Sequence, residues 1–87
     1  MGTQIKPYQI EGFYYISGKN YKALTDNISN FTVSWLINGT VIKATRGTDV
    51  IFEGVDFSVD YLTGTVTMLK VPLGIYENVF FIYTYPA

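Results

Sequence analysis

Short strings of β-branched and aromatic residues, punctuated by Gly, Asn and Asp, run the length of this chain, and no stretch of it carries an apolar stripe at helical spacing. Val, Ile, Thr, Tyr, Phe and Trp fit a pleated, half-buried surface. Turn formers recurring between them at strand-length intervals read as many short strands. With 87 residues the chain has room for one core and six to eight such strands. The expected fold is all-β: a small antiparallel β-sandwich, immunoglobulin-like or jelly-roll-like, with a partly open small β-barrel as the alternative. Residues 1–7 read as an extended N-terminal arm, closed by Pro7, which cannot donate to a strand ladder; residues 8–87 read as the single β domain.

The balance of residue types narrows the function. Hydrophobic residues make up 48% and charged residues only 15%, against about 25% charged in typical soluble domains. A disordered chain would show the opposite balance. The apolar run at residues 79–82 is far too short for a transmembrane helix. Cysteine is absent, which removes disulfides and Cys-based metal sites, and histidine is absent, which removes the usual general base and the commonest metal ligand. The net charge is −1, and Lys6, Lys19, Lys22, Lys43, Arg46 and Lys70 are scattered, so no nucleic-acid or membrane partner is expected. No G-x-S-x-G, S-x-x-K or P-loop string occurs. The expectation is a non-enzyme without a cofactor. Residues 1–6 match neither a secretory signal nor a myristoylation pattern, so no targeting signal is expected.

Two hairpins are expected. Asn38-Gly39 lies between residues 31–37 and 40–45, and this dipeptide suits a type I′ turn. A two-residue loop would pair Leu36 with Val41 and Trp35 with Ile42, gathering Val33, Trp35, Ile37, Ile42 and Ala44 on one core face. The second hairpin spans residues 57–68. A two-residue loop would pair Tyr61 with Val66; a four-residue loop would pair Val59 with Val66 and Phe57 with Met68. Either keeps Val59 and Val66 in the core. Residues 49–52 read as a short strand and residues 53–56 as its exit turn, with further turns at Gly18-Lys19-Asn20 and Pro72-Leu73-Gly74. Residues 21–26 could form one helical turn.

The strands near the two ends, residues 13–16 and 79–85, are apolar on both faces. Either they are central or their outer faces meet another subunit. A chain of this size without disulfides gains from oligomerisation. The interface candidates are therefore Ile5, Tyr8, Tyr14, Tyr15, Phe80, Tyr83 and Tyr85.

Other constellations have plainer readings. Asp49, Glu53, Asp56 and Asp60 could offer oxygens to Ca²⁺, or Asp56 and Asp60 could form a glycosidase-type pair, but their spacing fits no Ca²⁺ loop and they suit turns better. The sequons at Asn27, Asn30 and Asn38 read as coincidental, since Asn38 already serves its turn. The eight tyrosines divide between core, subunit interface and ligand contact, where rings stack on sugars.

Residues 54–67, Gly-Val-Asp-Phe-Ser-Val-Asp-Tyr-Leu-Thr-Gly-Thr-Val-Thr, resemble a G-x-D-[YF]-x-V-D-[YF]-x-T-G-x-[VI]-T hairpin of small β domains in tailed-bacteriophage virion proteins. The resemblance implies a structural role in capsid decoration, a head fibre, or a neck or tail accessory. The partners it implies are copies of the chain and other virion proteins, with no catalysis. It carries over no functional residue. Its matching positions Gly54, Asp56, Asp60 and Gly64 read as turn residues, the two aspartates accepting backbone N–H groups. A virion structural protein is the expected function, and a carbohydrate-binding or host-surface adhesion module is the alternative.

Overall fold

The structure, a computed structural model, describes residues 14–86. It is a β-sandwich. Strands β1 (Tyr14–Lys22), β2 (Asn30–Thr32), β3 (Thr40–Arg46), β4 (Asp49–Ile51), β5 (Phe57–Asp60), β6 (Thr65–Met68) and β7 (Asn78–Pro86) follow in chain order. They form a four-stranded sheet, β1-β7-β3-β4, and a three-stranded sheet, β2-β6-β5. Every strand pair in both sheets is antiparallel.

The core lies between the sheets. Phe31, Phe57, Val66 and Met68 of the small sheet face Ala44, Val79, Phe81 and Tyr83 of the large one, and Ala23, Leu36 and Leu73 close the ends. Phe57 meets Phe81 edge-on with ring centroids 5.8 Å apart, a preferred aromatic geometry. The two-faced apolar strand near the C-terminus is central, as one of its two readings has it. β7 alternates buried and open residues between β1 and β3. β1 lies at the sheet edge.

The Asn38-Gly39 hairpin does not form. Ser34–Leu36 is a single 3-10 turn, β2 pairs with β6, and β3 pairs with β7 and β4. The stretch crosses from one sheet to the other. A local ribbon would leave Leu36 on its outer side, whereas the crossing buries Leu36 completely and seats Val33 on Gly64 through an N–H···O bond of 2.8 Å. Ile42 and Ile37 are therefore not core residues. β3 carries a bulge in which Val41 and Lys43 oppose the adjacent partners Tyr83 and Ile82. Ile42 is the extra residue, turned to solvent and 55% exposed. Ile37 ends the crossing and is exposed. Trp35 is half-buried and packs on Phe81 and Tyr83. Val33 and Val66 are buried, and Val59 is half-buried against the core.

The second hairpin takes its four-residue form. Asp60 pairs with Thr65, Val59 with Val66 and Phe57 with Met68. Gly18-Lys19-Asn20 is not a turn, and residues 21–26 hold no helical turn: β1 runs unbroken through Lys22 because β7 offers it nine consecutive partners.

Candidate functional site

The larger sheet presents one face to the core and the other to solvent. β1, β7, β3 and β4 turn Tyr14, Ile16, Phe80, Ile42 and Val50 outward, all exposed, around the half-buried Ile82. Pairing sets this arrangement: Asn20 opposes Phe80, Phe80 opposes Thr45, and Thr45 opposes Val50. Lys22 and Lys43 are the only charged side chains that these strands point the same way, and Lys22 lies over the Tyr76 ring at 5.4 Å. Among the described residues the face is thus apolar, carries two cations and lacks an anion.

The inner face overhangs the small sheet at one end. β1 and β7 each have nine residues, whereas no strand opposite them exceeds four. Beyond the core, Tyr15 stacks on Tyr85 at 5.4 Å, Tyr85 leans on Tyr83 at 5.9 Å, and Tyr83 meets Trp35 at 5.1 Å. Ser17, Lys19 and Ser34 border this line of rings, and together they enclose an open groove of about 400 Å³.

The interface candidates accordingly separate. Tyr14 and Phe80 belong to the outer face; Tyr15 and Tyr85 belong to the inner overhang. Tyr83 is no surface residue: at 2% exposed it is core, because its position in β7 shares the inward side with Val79 and Phe81. Ile5 and Tyr8, with the arm of residues 1–7, lie outside the described residues.

The turn residues behave largely as their chemistry dictates. Gly54 and Gly64 have φ of 86° and 77°. Asp56 accepts the Phe52 N–H at 2.8 Å and Asp60 the Leu62 N–H at 2.9 Å. Asn38 has φ of 61°, a left-handed position in the crossing rather than in a hairpin. Gly39 is needed for space, since a Cβ there would stand 2.5 Å from the Thr84 carbonyl oxygen. Each of the clustered acids except Asp49 has a partner of its own: Glu53 accepts the Tyr61 hydroxyl at 2.9 Å, and Lys70 lies 3.5 Å from Asp56.

Two polar devices hold the long loops. Arg46 donates to both Glu77 carboxylate oxygens, at 2.6 and 3.1 Å, and to the Val71 and Pro72 carbonyls, each at 2.7 Å. The guanidinium, helped by the Gly74 N–H, holds the Glu77 carboxyl down at about 2. The Tyr61 hydroxyl accepts the Val41 N–H at 3.0 Å while donating to Glu53. Burial chiefly pushes the Tyr61 phenol up to about 12, against the pull of the Val41 N–H.

Compared with protein-family models, curated proteins and solved structures, the chain matches none. Sequence reading missed Ile16 and Val50 on the outer face, and Ser17, Lys19 and Ser34 at the groove. Only strand order reveals them, since each is ordinary in its local string. Arg46 and Glu77, 31 positions apart, carried no local signal either.

Proposed function

We propose that this protein is a non-catalytic structural component of a tailed-bacteriophage virion, a capsid decoration, head-fibre or neck/tail accessory protein that binds neighbouring virion subunits and copies of itself. The outer face of the four-stranded sheet carries this reading. Tyr14, Ile16, Ile42, Val50 and Phe80 form an apolar surface on a very small domain, and such surfaces mark protein contacts. The hairpin at residues 54–67 supports it, since its glycines and aspartates serve turns.

Sedimentation of the purified chain tests self-association. Wild type runs above 9.8 kDa and stays assembled in 0.5 M NaCl, because apolar contacts are not screened. Ile16→Glu gives monomer with an unchanged far-UV spectrum. A wild-type monomer at high concentration refutes self-association. Absence of the chain from the protein inventory of purified particles of the phage that encodes it refutes the virion role.

A further inference from the structure

The groove at the overhanging end of the sandwich has a chemistry that the assembly face lacks. Its accessible rings are the half-buried Trp35 and the exposed Tyr85, both resting on the buried Tyr83, with Tyr15 stacked behind Tyr85. Its border is Ser17, Ser34 and Lys19, whose hydroxyls and ammonium make no hydrogen bond or ion pair with the described residues. Lys19 opposes Phe81 in the ladder, so its side chain leaves from the inner face. The volume, about 400 Å³, falls within the range of small-molecule sites.

Each part selects something. The negative face of an aromatic ring attracts the weakly positive C–H face of a pyranose, and the phenol of Tyr85 adds a polar tip. Serine hydroxyls can donate or accept, which suits sugar hydroxyls. An ammonium can only donate. Among the described residues the groove is lined by no carboxylate and Lys19 is its one charged side chain, which calls for an anionic acceptor on the ligand.

We infer that the groove between Trp35 and Tyr85 is a binding site for an acidic saccharide, a pyranose bearing a carboxylate, with the ring stacked on these two aromatics and the carboxylate on Lys19. The site lies on the opposite side of the large sheet from the assembly face, so its failure leaves the assembly reading intact.

Trp35 is the chain's only tryptophan, and its fluorescence reports occupancy directly. Titration at low salt with glucuronic acid and N-acetylneuraminic acid gives a saturable change. The Kd is on the order of 1 mM, as suits a shallow open site. Glucose, N-acetylglucosamine and acetate give at least fivefold weaker responses. Lys19→Gln and Tyr85→Ala each weaken acidic-sugar binding at least fivefold, while Lys43→Gln on the opposite face leaves it unchanged. Amide shifts in a parallel NMR titration centre on residues 17, 19, 34, 35 and 85. No saturable change in either measurement overturns the site. An equal response to neutral sugars overturns its acidic selectivity, and an equal response to acetate overturns saccharide recognition. Undiminished binding by Lys19→Gln removes the assigned carboxylate contact.

Discussion

The Phe80 ring lies over Gly18, so close that a Cβ on Gly18 would stand 2.7 Å from Phe80 Cζ. The two residues are diagonal neighbours on β7 and β1, since Phe80 opposes Asn20 and Gly18 opposes Ile82. A long side chain reaches that far across a ladder. The ring covers the backbone of an edge strand where glycine offers no side chain, as aromatic residues do for sheet glycines. This accounts for a glycine inside a nine-residue strand, where it would otherwise be a weakness.

That contact predicts coupling between the two positions. In Gly18→Ala the ring must swing away into solvent, which its exposed setting permits, so the fold survives. Phe80→Ala should then cost less in the Gly18→Ala background than in wild type, by about 0.5–1 kcal/mol. Urea denaturation of the four proteins of the cycle measures it. Additive effects would mean that the ring does not rest on Gly18.

Gly39 should tolerate no side chain, for a steric reason. A Cβ there meets the carbonyl oxygens of Thr84, at 2.5 Å, and Leu36, at 3.3 Å, and backbone cannot step aside as a side-chain tip can. Gly39→Ala should lose about 1–3 kcal/mol. Gly47→Ala, with φ of 62° and open space around it, should lose only about 1 kcal/mol from its backbone conformation. Thermal melts of the two variants distinguish crowding from dihedral strain.

The Arg46–Glu77 pair predicts an acid-dependent loss. The folded carboxyl titrates at about 2, below its ordinary 4.5. A depressed folded value means that the pair contributes fully above about pH 4.5, that its contribution declines as pH falls from there, and that it is lost below about 2. Glu77 is 43% exposed in its side chain, so solvent screening limits the ion pair to about 0.5–1 kcal/mol. Melting wild type and Glu77→Gln at pH 6, 3.5 and 2 should show a gap that closes with acid. A constant gap would refute the pairing.

The Tyr61 phenol should ionise late in alkali. Its phenol titrates at about 12, against an ordinary 10. A raised folded value means that its contribution is complete below about pH 10 and is lost as pH rises through about 12. Tyr61→Phe removes the acceptor for the Val41 N–H and should cost about 1–2 kcal/mol at neutral pH. Tyrosinate absorbance followed against pH should lose one late-ionising step in that variant. An unchanged titration curve would contradict the Val41–Tyr61–Glu53 bridge.

Much of the domain is legible as local pattern. The hairpin at residues 57–68 could be read because its turn chemistry and its period-2 apolar face agree within one short segment, down to Asp60 capping its own turn. The strand at residues 49–51 and the turn after it follow for the same reason. At Asn38-Gly39 the same reasoning fails. Both flanking strings are good strands, and the dipeptide is a good turn, yet β2 and β3 find longer or better partners in β6 and β7. Local preference of this kind is weak against burial of Leu36 and Val33 between two sheets. The bulge at Ile42 then inverts the inside and outside of part of β3, which no alternation rule can anticipate.

The sequence by itself determined the all-β class, a count of six to eight strands, and the hairpin at residues 57–68, because these depend on side-chain shape, period and backbone freedom within a few residues. Tertiary structure alone decided which strands are neighbours. With that it decided that Tyr83 is core while Tyr85 is surface, that Ile42 is exposed, that Phe80 rests on Gly18, and that Trp35, Tyr85 and Lys19 meet at one groove. Those relationships join residues tens of positions apart, and what selects among the possible pairings is the total apolar surface buried between the sheets, a property of the whole chain and of no segment within it.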